Sequence, residues 1–257
     1  MNEIRETTLL GFKLSCVTVP ELHDFVGRQI TVREKTVILY LNLHGFRLAF
    51  RLPWLRDFFL SARVVICDGD GLRLGLKLLG KEAPVKIGLT RWIWEFAEFC
   101  QQKGYSLYLL GAGPGVADQA AQRLCARYPK LRIAGTHDGY FSRQGTENEK
   151  LICEINRLKP DILIAAFGMP LQEEWLRENR EKLDVPILLS GGGVLDYAAG
   201  RLGEAPSWMI RAKLEWLFRI YEEPGRLFWR YAVEIPYFFW KVLIEALSLS
   251  ISRLLRK

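Results

Sequence analysis

Asp68-Gly69-Asp70-Gly71 sets two carboxylates one residue apart, directly after the apolar run Val64 to Cys67. A carboxylate at a strand end can take a proton from an incoming hydroxyl, and Asp68 is the better placed of the two. The pair could instead hold a divalent ion against a diphosphate. Acids that alternate along a loop need not point to one place, however, and Gly69 and Gly71 could simply form a turn. His23, His44 and His137 show no ligand spacing, so no metal site is assigned.

Four further segments join glycines to polar or aromatic groups. Gly168-Met169-Pro170-Leu171-Gln172-Glu173-Glu174-Trp175 follows the apolar run Ile162 to Phe167, which places Gln172 and Glu173 at the carboxyl end of a sheet, where open α/β sheets bind ligands. Gly111-Ala112-Gly113-Pro114-Gly115 lies between a strand and a helix. Without a Cβ in the way, backbone N–H groups there can approach a phosphate or a sugar. The spacing is neither Gly-x-Gly-x-x-Gly nor a phosphate loop with its Lys-Ser/Thr, and a tight turn explains it equally well. Gly191-Gly192-Gly193 permits another close approach, with Asp196 early enough in the next element to bond a base or ribose, or merely to complement a helix dipole. His137-Asp138-Gly139-Tyr140-Phe141 offers an aromatic face and a hydroxyl.

The elements that must position these groups alternate from about residue 36 to about residue 195. Strands are expected at Thr36 to Leu41, Val64 to Cys67, Ser106 to Leu110, Leu131 to Ala134, Asp161 to Phe167 and Pro186 to Ser190, with helical spacing at Val116 to Tyr128 and Asn148 to Leu158. This is the grammar of an α/β, Rossmann-like parallel sheet flanked by helices. Before it, Leu9 to Leu14 reads as a small β element, and Thr18-Val19-Pro20-Glu21 opens a helix with proline just inside.

The composition changes after Pro206. Residues 208–257 are rich in Trp, Phe, Tyr and Leu interleaved with Arg, and Gly225 is their only glycine. Two units are therefore expected, a catalytic domain over 1–205 and a helical appendage over 206–257. The stretch from Pro236 to Leu255 is about long enough to span a bilayer, but Lys241 and Glu245 interrupt it at a cost. It reads best as an amphipathic interfacial helix. A helix packed on the main domain or a sister subunit, or a membrane span, are the other readings. A net charge of +7, with Lys and Arg dispersed instead of gathered in one stripe, points to anionic small molecules or an acidic membrane surface and not to nucleic acid. Five scattered cysteines without a Cys-x-x-Cys pair fit a reduced setting with buried thiols, and the N-terminus lacks the basic-then-apolar layout of a signal peptide.

Taken together, several segments resemble the WecG/TagA/CpsF glycosyltransferases (glycosyltransferase family 26). They are Leu109 to Ala117, Tyr128-Pro129, Gly135 to Phe141, the Gly-x-Pro-x-Gln-Glu-x-Trp of Gly168 to Trp175, Asp196 to Gly200, Ala205-Pro206, Leu214 to Arg219, Glu223-Pro224 and Arg226. The likeness runs from about Leu10 to Tyr231. It implies an inverting, metal-independent transfer, without a cofactor, from a UDP-sugar to a polyprenyl-diphosphate-linked sugar. That step takes place at the cytosolic membrane face and feeds wall teichoic acid, common antigen, capsule or exopolysaccharide. The resemblance implies Asp68 as base, Asn42 and Gln172 orienting sugar groups, and Tyr140 and Asp196 at the uridine. Gly111, Gly113, Gly115, Gly168, Pro170, Glu173, Gly192 and Gly193 would cradle the nucleotide-sugar. Arg219, Arg226 and Arg230 of the appendage would close over the diphosphate, where guanidinium forks suit phosphate oxygens.

Three departures bear on the substrate: Tyr40-Leu41-Asn42 where Thr-x-Asn is usual, Glu204-Ala205-Pro206 for Arg-Ala-Pro, and Gly88-Leu89-Thr90 for Gly-x-Asp. A bulky Tyr40 beside the expected sugar pocket and one lost basic residue leave the donor open between an N-acetylmannosamine type and another hexose. An NAD-dependent oxidoreductase and a non-catalytic membrane-docked scaffold are the readings from other classes. A homo-oligomer is compatible with the sequence.

Overall fold

The computed structural model describes residues 4–254. It opens with a hairpin of β1 (Glu6–Leu9) and β2 (Phe12–Ser15), turned by Leu10 and Gly11 at φ 51° and 82°. Helix α1 (Val19–Val32) begins at a capping box: the Glu21 N–H donates to the Thr18 hydroxyl, and the Thr18 N–H donates to the Glu21 carboxylate.

The main alternation runs β3 (Thr36–Leu41), α2 (Leu43–Arg51), α3 (Pro53–Ser61), β4 (Val64–Cys67), α4 (Asp70–Leu78), α5 (Leu89–Lys103), β5 (Ser106–Gly111), α6 (Val116–Arg127) and β6 (Arg132–His137). It continues through α7 (Gly145–Leu158), β7 (Ile162–Ala166), α8 (Leu171–Asn179), β8 (Ile187–Ser190) and α9 (Val194–Ala198). The chain closes with α10 (Ser207–Arg211), α11 (Glu215–Glu222) and α12 (Pro224–Leu254). The six strands β3 to β8 form one parallel sheet in the order β4-β3-β8-β7-β5-β6.

Burial on both faces explains why the inner strands read as unbroken apolar runs. Along β3, Val37, Leu39 and Leu41 enter one core layer while Ile38 and Tyr40 enter the other. The first layer holds Phe12, Phe46 and Trp175; the second holds Phe25, Trp92 and Phe96. The edge strand β6 runs three residues beyond its predicted end, through Gly135 to His137. A register shift at Leu107/Tyr108 of β5 accommodates it. A Cβ on Gly135 would sit 2.6 Å from the Tyr108 ring, so glycine lets a buried tyrosine pack beneath the edge. Cys67 and Cys100 are buried as expected of structural thiols, whereas Cys153 is exposed.

Helix α12 takes part in the core through one face only. Leu227, Glu234, Phe238 and Val242 are buried, at roughly helical spacing. Phe238 meets Phe46 edge-on at 5.1 Å and fills the space over Gly75, where a Cβ would lie 2.6 Å from its ring. The opposite face leaves Phe228, Trp229, Val233, Trp240, Leu243 and Leu247 exposed. Leu227–Ser252 is long and apolar enough to cross a membrane by length and composition. Packing on the main domain thus accounts for one face of the helix and leaves an apolar face over.

Candidate active site

Because all six strands of the sheet are parallel, the segments after β3 to β8 gather along one edge. The order reverses beside β3, which lies between β4 and β8, and beside β5, which lies between β7 and β6. Ligands of open α/β sheets bind outside the carboxyl ends of the strands at such reversals.

At the β3–β4 end lies a cavity of about 440 Å³, roofed by α11 and α12. Asn42 and Asp68 line it. Asn42 caps α2, its Oδ1 accepting from the Gly45 N–H at 3.0 Å. The Asp68 N–H donates to the Leu41 carbonyl at 2.9 Å, but its carboxylate accepts no hydrogen bond among the described residues. Burial raises the Asp68 pKa, Arg219 and Lys86 pull it down, Glu215 and Asp70 push it up, and the net direction is upward. A carboxylate shifted this way is a stronger base than an ordinary aspartate.

Its neighbour Asp70 has a different environment. Both of its oxygens are ion-paired, one to Arg73 at 3.3 Å and one to Lys86 at 2.9 Å. Lys86 also bonds Glu215, so one ammonium ties the β4 loop to α11. Burial works against the Lys86 charge, yet these two carboxylates hold its pKa above the ordinary value. No group of three or more potential metal ligands occurs among the described residues.

Two appendage arginines complete the cavity. Arg219 lies over the Tyr197 ring at 5.5 Å. Burial opposes its charge, but Tyr197, Asp68, Tyr231 and Glu215 keep its pKa raised. Arg230 donates from Nε to Glu234 at 3.2 Å, and Glu234 also bonds His44 Nδ1 at 2.5 Å. Arg226 lies in α12, with its side chain outside the described residues. A small hollow of about 20 Å³, lined by Thr90, Tyr197, Glu204 and Arg219 among others, continues from the cavity toward the β8 loop.

The remainder of the edge is built from backbone. Gln172, expected to orient a sugar, is fully buried. Its Oε1 accepts from the Gly168 N–H at 3.1 Å and the Gly192 N–H at 2.9 Å, and its Nε2 donates to Glu173 at 2.7 Å. It ties two loops together behind the cavity wall. Glu173 is also fully buried, Oε2 has no partner among the described residues, and burial pushes its carboxyl up to about 7.

Tyr40 does not itself line this cavity, though Asp68 and Arg230, which do, are among the charges acting on its hydroxyl. It is buried beneath the β8 loop, its hydroxyl 2.3 Å from where a Gly192 Cβ would be, and it neighbours Gln172 and Glu173. Its bulk supports that loop. Gly111 likewise answers to packing, since a Cβ there would stand 2.3 Å from the Ala166 carbonyl oxygen. Gly115, Gly168 and Gly193 have open space at the Cβ position, and Gly113 has only ordinary contacts. Pro170 precedes α8 as its cap, and Asp196 lies in the first turn of α9. Tyr140 is 80% exposed at the rim, its N–H bonded to Asp138 at 2.8 Å. Thus Asn42, Asp68, Arg219 and Arg230 share the cavity, while Gly111, Gly113, Gly115, Tyr140, Gly168, Gly192, Gly193 and Asp196 lie along the adjoining edge.

A family model described as "Glycosyl transferase WecG/TagA/CpsF family" matches residues 7–252. The chain belongs to this family. It is accordingly a glycosyltransferase, and the oxidoreductase and scaffold readings are set aside. Among curated relatives, it is 29% identical over 194 residues to the N-acetylglucosaminyldiphosphoundecaprenol N-acetyl-beta-D-mannosaminyltransferase of Bacillus subtilis, covering 74% of this chain and 73% of that one. It is 30% identical to the enzyme of the same name from Bacillus spizizenii, over 71% of this chain and 69% of the other. For the Staphylococcus aureus enzyme of that name the identity is 27%, with the same coverages.

For this glycosyltransferase, sequence reasoning missed His44, Lys86, Glu215 and Glu234. Their contacts join positions 129 to 190 residues apart. The local signal within reach was Asn42, a helix cap that places His44 in the first turn of α2.

Proposed function

We propose that the protein transfers a sugar, of the N-acetylmannosamine type or another hexose, from a UDP-sugar to a polyprenyl-diphosphate-linked sugar, with inversion. The observation that carries this reading is the unbonded, pKa-raised carboxylate of Asp68 in a cavity otherwise dominated by cations. Asp68 takes the proton from the acceptor hydroxyl as its oxygen bonds to the anomeric carbon and the bond to UDP breaks. Arg219 and Arg230 bear on the departing diphosphate, where positioned donors stabilise developing charge. Asn42 presents its amide nitrogen to the sugar, since its oxygen is engaged at the cap. Gln172 contributes by holding the Gly168 and Gly192 loops at the donor side. Tyr140 and Asp196 lie where a uridine would meet an exposed ring and a carboxylate.

The names of the curated relatives state an undecaprenol-diphosphate acceptor, which supports a lipid-borne substrate here. The face of α12 turned away from the core exposes Phe228, Trp229, Trp240 and Leu243, and such a face with tryptophans suits a lipid interface. We place the protein peripherally on the cytosolic face, in the assembly of a cell-surface polysaccharide. The test is Asp68→Asn. Turnover falls by about 10²- to 10⁴-fold, the range of general-base catalysis, while UDP affinity by calorimetry stays within about twofold of wild type. Retained turnover removes Asp68 as the base.

A further inference from the structure

Two residues at the cavity, His44 and Glu234, have no part in the proposed reaction, and both are tied to Arg230, which has one. Glu234 of α12 has a side chain only 1% exposed, and its two oxygens hold two different partners. Oε1 is 2.5 Å from Nδ1 of His44, on α2 of the main domain, and Oε2 accepts from Nε of Arg230, one turn earlier on α12, at 3.2 Å. His44 and Arg230 both line the cavity, and their side chains keep 26% and 22% exposure.

A carboxylate can only accept, so the proton between His44 and Glu234 belongs on Nδ1. That leaves Nε2 as the ring atom free to meet a ligand. Arg230 uses Nε for Glu234 and keeps its two terminal nitrogens. A buried acid in contact with two basic side chains fixes the direction of both: Arg230 offers its terminal N–H groups, and His44, held through Nδ1–H, offers Nε2–H to a phosphate oxygen in its imidazolium form. Of the other acids in the cavity, Asp70 and Glu215 are already paired to Lys86, and Asp68 is the carboxylate assigned to the acceptor hydroxyl. A ligand group placed against His44 and Arg230 thus meets donors, which is the chemistry of a diphosphate.

We propose that Glu234 is a positioning residue that holds His44 and Arg230 as a pair of diphosphate-binding donors across the junction of α2 and α12. The inference rests on the reading that this cavity receives a diphosphate. That group has two sources, the UDP of the donor and the lipid diphosphate of the acceptor.

The experiment is steady-state kinetics on the full chain in detergent, with calorimetric UDP binding and melting temperature measured on each variant. Glu234→Gln lowers kcat/KM by about 10- to 100-fold, the equivalent of losing a hydrogen bond to a charged group. His44→Asn combined with Arg230→Lys gives a similar loss, and adding Glu234→Gln to that pair costs less than about threefold more, because its effect passes through them. A rise in donor KM with weaker UDP binding assigns the pair to UDP. A rise in acceptor KM with unchanged UDP binding assigns it to the lipid diphosphate. Wild-type kcat and both KM values in Glu234→Gln overturn the proposal, and so does a full additional loss on top of the double variant. If Glu234→Gln melts below the assay temperature, His44→Asn decides alone: unchanged kinetic constants overturn the proposal, and a raised KM for either diphosphate substrate supports it. If wild-type turnover itself is absent, the reading of the reaction fails and not the geometry of the pair. In that case loss of UDP or inorganic diphosphate binding in His44→Asn still supports the pair, and unchanged binding of both overturns it.

Discussion

The two halves of the sheet's carboxyl edge are built by opposite means. At the β3–β4 end, charged side chains from distant segments meet under α11 and α12: Asp68 beside Arg219, Lys86 between Asp70 and Glu215, Glu234 between His44 and Arg230. At the β5–β7–β8 end, glycine loops present backbone, and Gln172 is buried with Glu173 to hold them. The first half depends on α11 and α12 being docked, because Arg219 and Arg230 come from there. The second is built from the loops of the sheet, so damage to α11 or α12 should lower turnover more than nucleotide affinity.

The sharpest separation is expected from Arg219→Ala. Removing a charged donor from a water-poor site costs about 10²- to 10³-fold in kcat. A loss of UDP affinity as large as the loss of kcat would erase the distinction between the halves. Next is Phe238→Ala, which empties the core position over Gly75 and costs about 3–5 kcal/mol of stability. Chemical denaturation should show that loss, and limited proteolysis should release α12 before the sheet domain. A single unchanged transition would show that docking does not depend on this ring.

The backbone half has its own signature in Glu173. Burial raises its folded carboxyl from its ordinary value of 4.5 to about 7, so the native protein keeps a proton that the unfolded chain has released. Stability therefore declines as pH rises from about 4.5 through about 7 and is flat above that. Glu173→Gln should remove this decline relative to wild type, measured by melting temperature across that window. Equal slopes in the two proteins would mean that Glu173 is ionised in the fold. The smallest expected effect is that of Tyr140→Ala, a loss of about 1 kcal/mol in UDP affinity, the low end for a base stacked on an aromatic ring, with kcat unchanged.

What the sequence made legible follows the same division. Strands β3, β4 and β8 and the helix opening at Thr18-Val19-Pro20-Glu21 were readable because apolar runs and helix starts are local signals, and the glycine segments fell at strand ends for the same reason. For Tyr40, position along a strand does not say which face a side chain takes, and its ring packs beneath Gly192. Gln172 carried a motif signal without its meaning, since sequence shows an amide near a loop and not whether backbone N–H groups already occupy it. The His44–Glu234 contact, across 190 residues, had no local trace at all. Helix α12 was ambiguous for a physical reason: one face packs on Gly75 and Phe46 while the other stays apolar and exposed, so its overall composition matched three environments.

The central claim, glycosyl transfer from a UDP-sugar to a lipid-linked acceptor in the Asp68 cavity, is tested most directly by UDP release. Purified protein in detergent is supplied with a polyprenyl-diphosphate-linked sugar and a panel of UDP-sugars, with and without a chelator. The account predicts acceptor-dependent release from at least one donor, unchanged by the chelator and abolished by Asp68→Asn. Release that needs no acceptor, survives Asp68→Asn or disappears with the chelator would contradict it.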